Sequence, residues 1–82
     1  MRSSWSKFVI REIEPDLLPE VYEIERDSFR YPYKNSFLDW LADRYCRTFL
    51  VARNEEKVLG YVVASVEGER GHLFSVAVRP GW

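Results

Sequence analysis

From Phe8 to Ile13 the chain runs apolar and β-branched, and Glu14-Pro15 closes the run. That pattern predicts a first strand. Pro15-Asp16 then predicts a helix start, with Asp16 as N-cap and Pro19 in the first turn. Proline is tolerated there because the first backbone N–H groups of a helix have no intrahelical partner. Leu17, Leu18, Val21, Ile24 and Phe29 recur near helical spacing, leaving Glu20, Glu23, Arg26 and Asp27 to face water. The helix is expected to end near Phe29. Arg30-Tyr31-Pro32-Tyr33-Lys34-Asn35 reads as an irregular connection, because the proline pushes Tyr31 toward extended backbone. A second helix is expected from Ser36, with Asp39 three residues on in a capping-box arrangement. Phe37, Trp40, Leu41 and Tyr45 form its apolar stripe, and it should end near Cys46-Arg47.

Three strands are predicted next, Thr48 to Ala52, Val58 to Val66 and His72 to Val78. Asn54-Glu55-Glu56-Lys57 and Glu67-Gly68-Glu69-Arg70-Gly71 are the polar turns between them. Val58, Val62, Ala64 and Val66 fall on one face of the middle strand, with Leu59, Tyr61 and Val63 on the other. A strand apolar on both faces is expected to be central and covered on both sides. The order is β-α-α-β-β-β, and the short turns make the last three strands antiparallel. The fold class is therefore α+β, two helices packed on a mainly antiparallel sheet. The last strand is the most apolar segment. As a true edge it would expose a flat row of unpaired N–H and C=O groups, so a continuation of the chain or another copy is expected to cover it.

The 82 residues suffice for one small domain, and the 46% apolar and 30% charged content is globular. A formal net charge of −1 with interleaved signs gives no footprint for nucleic acid. No apolar run approaches the ~18 residues of a membrane span, and the start lacks a signal-peptide core, so a cytoplasmic protein is the expectation. The lone Cys46 reads as a small buried hydrophobe, and His72 as a surface residue at a strand end. Trp5, Trp40 and Trp82 read as packing residues, and Gly60 as the mark of a bulge or a close helix contact. No metal-ligating cluster is apparent.

Several strings, taken in order, resemble one family. Ile10-Arg11 before Pro15-Asp16-Leu17 is similar to the opening of GNAT N-acetyltransferases. Glu23-Ile24-Glu25-Arg26-Asp27-Ser28-Phe29 followed by Tyr31-Pro32-Tyr33 resembles the first helix and substrate loop of the ribosomal-protein alanine and archaeal protein amino-terminal acetyltransferase group. Phe49-Leu50-Val51-Ala52 with Val58-Leu59-Gly60-Tyr61-Val62 resembles its central hairpin, and His72 to Pro80 its fourth strand.

That resemblance implies a fold, a reaction and a division of labour. The fold would be the amino-terminal part of one GNAT domain. The reaction would be transfer of acetyl from acetyl-CoA to a primary amine, most of all a protein α-amino group, with no metal. In the family the fourth-strand main chain pairs with the coenzyme's pantetheine arm and offers an N–H to the thioester carbonyl, a role that falls on Val76, Ala77 and Val78. The acceptor loop falls on Phe29, Tyr31, Pro32 and Tyr33. The family's Arg/Gln-x-x-Gly-x-Gly/Ala phosphate loop is expected after Trp82, so the 82 residues alone should be inactive. No catalytic residue is assigned: the loop from Phe29 to Tyr33 carries no carboxylate, and Phe74 stands where some relatives have a tyrosine. The alternative is a non-catalytic half-domain, acting as a protein-binding module or a homo-oligomer paired through the last strand.

Overall fold

The computed structural model describes residues 8–81; Trp5 and Trp82 lie outside them. β1 (Val9–Glu12) leads into a short 3-10 turn (Pro15–Leu17) and α1 (Leu18–Ser28). α2 (Asn35–Arg44) follows, then β2 (Phe49–Arg53), β3 (Val58–Glu67) and β4 (Arg70–Val78). All neighbouring strands are antiparallel, in the spatial order β1-β2-β3-β4. The predicted element order and fold class therefore hold.

Local chemistry explains the boundaries. Glu14 is extended and Pro15 opens the turn, with the Leu17 N–H bonded to the Glu14 carbonyl at 2.9 Å. Helical backbone thus begins one residue before Asp16, which lies inside the turn and caps nothing. α2 likewise starts at Asn35, with Lys34 at its N-cap and no side-chain cap. Asp39 is then too far along to close a capping box, and it accepts a hydrogen bond from the Tyr22 hydroxyl of α1. The β2–β3 turn is held by Asn54 Oδ1, which accepts the N–H groups of Glu56 and Lys57, both at 2.8 Å. In the β3–β4 turn Gly68 takes φ +62°, the left-handed region that glycine enters without steric cost.

Val21 and Ile24 of α1 and Leu38 and Leu41 of α2 pack on Phe49, Val51, Val58, Tyr61, Val63 and Ala77. Each large apolar side chain so buried contributes about 1.5–3 kcal/mol. Three expectations fail here. Leu38, absent from the predicted stripe, is fully buried in α2 beside Leu41, while Trp40 is 51% exposed and stacks on Phe37. Val58 joins Tyr61 and Val63 in the core, because β3 carries an extra residue, Leu59, where Ala52 pairs with Gly60 and Arg53 with Val58. Cys46 is exposed in the turn after α2, where the chain has already left the helix and its buried side.

Among the described residues, the sheet is covered on one face only. Ile10, Leu50, Val62, Val76 and Val78 line a shallow apolar hollow on the face opposite the core, with Ile10, Val76 and Val78 each about half exposed. β3 is interior in pairing, but among the described residues it is not covered on both sides, contrary to the expectation from its two apolar faces. Alternation reports which face a residue takes and is silent on what covers that face.

Candidate functional site

The carboxyl end of α1, the α1–α2 connection and β4 enclose an open groove of about 380 Å³. Phe29, Tyr31 and Tyr33 supply one wall, Leu73, Phe74, Ser75 and Val76 the other, and Glu25 contributes from α1. Phe29 is not part of the helical stripe: it is the extended C-cap of α1 and 38% exposed. Tyr31 is 84% exposed, and the Tyr33 ring lies 4.8 Å from Phe37. Pro32 sits in the same connection and is exposed, but it does not line the groove. Of the three β4 residues singled out in the sequence, only Val76 reaches this groove.

The backbone of β4 separates these three. The Arg79 N–H bonds to the Leu59 carbonyl at 2.7 Å, and Ala77 pairs with Tyr61. Antiparallel alternation then turns the N–H and C=O groups of Val76 and Val78 toward the unpaired edge, while those of Ala77 face β3. The Ala77 side chain is buried toward the helices. Just before this stretch β4 bulges: Val63 pairs with Ser75 and Ala64 with Leu73, leaving Phe74 as the extra residue. The bulge breaks the ladder beside the groove.

Sequence reasoning missed the polar centre beside the groove. Glu25 is 3% exposed and Ser75 6%. Glu25 Oε2 accepts the Tyr33 backbone N–H at 2.9 Å. Oε1 accepts the Ser75 hydroxyl at 2.8 Å and the Tyr61 hydroxyl, and the two hydroxyls are 3.0 Å apart. Burial holds the Tyr61 hydroxyl well above the usual phenol range, and its bond to the Glu25 carboxylate adds to the rise, so Tyr61 stays a donor at any physiological pH. A signal was present in the sequence. Glu25 stands next to Ile24 and four residues after Val21, on the buried stripe, where a charge requires partners. Ser75 likewise interrupts the apolar run of the last strand.

Arg79 fixes the far end of β4. Its Nε donates to the Val58 carbonyl at 2.6 Å and its Nη1 to Glu23 at 2.8 Å, and Nη2 lies 3.4 Å from Glu20. His72 is exposed, with its ring 4.5 Å from Phe74. A second hollow of about 390 Å³ lies between β1 and the β2–β3 turn, where Arg11 and Arg53 mix with Glu14 and Glu55, and it holds none of the candidate cofactor- or acceptor-side residues. Among the described residues no three His, Cys, Asp or Glu side chains gather as a metal site, and no helix is long and apolar enough to cross a membrane.

An uncharacterized N-acetyltransferase of Methanocaldococcus jannaschii is 35% identical over 71 residues, 87% of this chain and 46% of that protein. The fold matches Ard1 from Thermoplasma volcanium with a TM-score of 0.81 at 24% identity, covering 90% of this chain and 51% of that one. It matches the ribosomal-protein-S18-alanine N-acetyltransferase from Escherichia coli with a TM-score of 0.72 at 21% identity, covering 89% and 46%. The chain thus spans about half the length of these relatives. The sequence profile of the acetyltransferase (GNAT) family matches residues 11–82, nearly the whole chain, and the chain belongs to that family.

Proposed function

We propose that these residues are the amino-terminal part of an acetyl-CoA-dependent N-acetyltransferase domain whose acceptor is a primary amine, foremost a protein α-amino group. The observation that carries this reading is the groove. One of its walls is an aromatic loop and the other is an edge strand with free backbone groups. The outward N–H and C=O groups of Val76 and Val78 suit the amide-bearing pantetheine arm, which can add to the sheet edge as a strand does. An N–H fixed in that stretch can meet the thioester carbonyl oxygen, where charge develops during transfer. Ala77 acts by keeping the alternation that turns its neighbours outward. Phe29, Tyr31, Pro32 and Tyr33 form the acceptor side, where tyrosine pairs an apolar ring with a hydroxyl able to bond a peptide backbone.

The amine must give up a proton, since an α-amino group of pKa about 7.7–8.0 is partly charged at neutral pH. The names of the Escherichia coli and Methanocaldococcus jannaschii relatives favour amine acetylation. Neither described helix opens on a glycine-rich turn, which supports weak coenzyme binding by the 82 residues alone. The test uses the full-length protein carrying these residues, radiolabelled acetyl-CoA, and peptides with free or blocked α-amino groups. Label is expected on the free peptide only. Label on neither the free peptide nor a panel of small amines contradicts the reading.

A second reading, a non-catalytic module that pairs through β4, draws on the same unpaired edge and on the half-exposed Leu73, Val76 and Val78. It requires a dimer or larger assembly in light scattering, and a well-folded monomer eliminates it.

A further inference from the structure

Glu25 ties together four segments, two of them, β3 and β4, far from it in sequence. It sits in the last turn of α1 and meets the acceptor-side connection at Tyr33, β3 at Tyr61 and β4 at Ser75. Ser75 lies between the Phe74 bulge and Val76, the first residue after the bulge whose backbone faces the open edge. The two walls of the groove are thus joined at one carboxylate. Tyr33 N–H, a main-chain donor, holds Oε2, and two hydroxyls hold Oε1. A carboxylate 3% exposed is tolerated because these donors replace its water.

We propose that Glu25 is a positioning residue that sets the distance between the acceptor loop and the acetyl-transfer strand, acting through Tyr33 on one side and Ser75 on the other. This rests on the reading of the groove as an acetyl-transfer site. In this role Glu25 moves no proton and acts by accepting the three hydrogen bonds that hold its partners in place. The hydrogen-bond inventory predicts which substitution preserves the arrangement. In Glu25→Gln the amide oxygen still accepts the Tyr33 N–H, and the amide nitrogen donates to the Tyr61 and Ser75 oxygens, both of which can accept. Glu25→Ala removes every one of these bonds.

The experiment has two arms. Amide exchange at Tyr33 is measured in the wild type, Glu25→Gln and Glu25→Ala, and steady-state kinetics are measured on the full-length protein with acetyl-CoA and a peptide bearing a free α-amino group. Glu25→Ala is expected to speed Tyr33 exchange and to raise the acceptor KM about tenfold with a smaller change in kcat, the size of one lost hydrogen bond to a charged group. Glu25→Gln is expected to bring both readouts back to within about threefold of the wild type. A Tyr33 amide that exchanges at the wild-type rate in Glu25→Ala overturns the proposal. So does a Glu25→Gln enzyme whose kcat falls as far as that of Glu25→Ala, which would mark a proton-transfer group. If Glu25→Ala does not fold, Tyr33→Pro against Tyr33→Ala isolates the amide: a higher acceptor KM in the proline variant supports the proposal, and equal values overturn it. A wild-type protein that transfers no acetyl group refutes the functional reading, while the exchange arm still decides the role of Glu25 in holding the loop.

Discussion

A methyl group on Gly60 would lie 2.9 Å from the Ala77 carbonyl oxygen and 3.1 Å from Val78 Cγ2. The first of these is backbone, so β3 and β4 would have to separate. Gly60→Ala is expected to cost roughly 1–3 kcal/mol of stability by overpacking, measurable as a lower urea midpoint. The glycine thus marks a close strand–strand approach beside the Leu59 bulge, and no helix is involved. A second side chain makes a pH prediction. The bond to Asp39 raises the Tyr22 pKa to about 12, above the ordinary phenol value of 10.0. The folded state therefore holds that proton more tightly than the unfolded chain. The stability it contributes is complete below pH 10 and is lost as pH rises toward 12. Tyr22→Phe is expected to flatten the alkaline limb of the stability curve, and a limb of unchanged slope contradicts it.

Between elements, the main connection of α1 to the carboxyl end of β4 is Arg79. Its guanidinium holds the Glu23 carboxyl below the usual carboxylate range through a hydrogen bond and the charge itself. A depressed carboxyl pKa contributes stability above the unfolded value and loses it as pH falls through the folded one. Glu23→Gln should therefore remove part of the acid-limb slope, read by circular dichroism below pH 5. Arg79→Ala also strips the Val58 carbonyl of its donor and should cost about 1–3 kcal/mol in chemical denaturation. The helices, hairpins and strand order were legible in the sequence because periodicity and turn chemistry act over a few neighbouring residues. The Glu25–Tyr61–Ser75 centre was not, because its members come from three elements and meet only after the sheet forms. The face of Val58 was hidden for a similar reason, since a one-residue bulge inverts the alternation on which the reading relied.

For the molecule as a whole, the family was readable from ordered strings, while the open second face of the sheet was not. The 82-residue chain alone is expected to bind acetyl-CoA weakly, and micromolar affinity in calorimetry would contradict that. The pairing pattern has a further consequence, for the order of folding. Glu67 pairs with Arg70 across a two-residue turn, whereas Val9 must find Arg53 across both helices. Closing the long loop costs more chain entropy than closing the short one, and β1 contributes only four exposed residues in return. The β2–β4 meander should therefore be structured in the transition state and β1 should dock last. Substitutions at Val63 are expected to slow folding, and substitutions at Ile10 mainly to speed unfolding, so β1, though made before the other strands, would be the last to join the fold and the first to leave it.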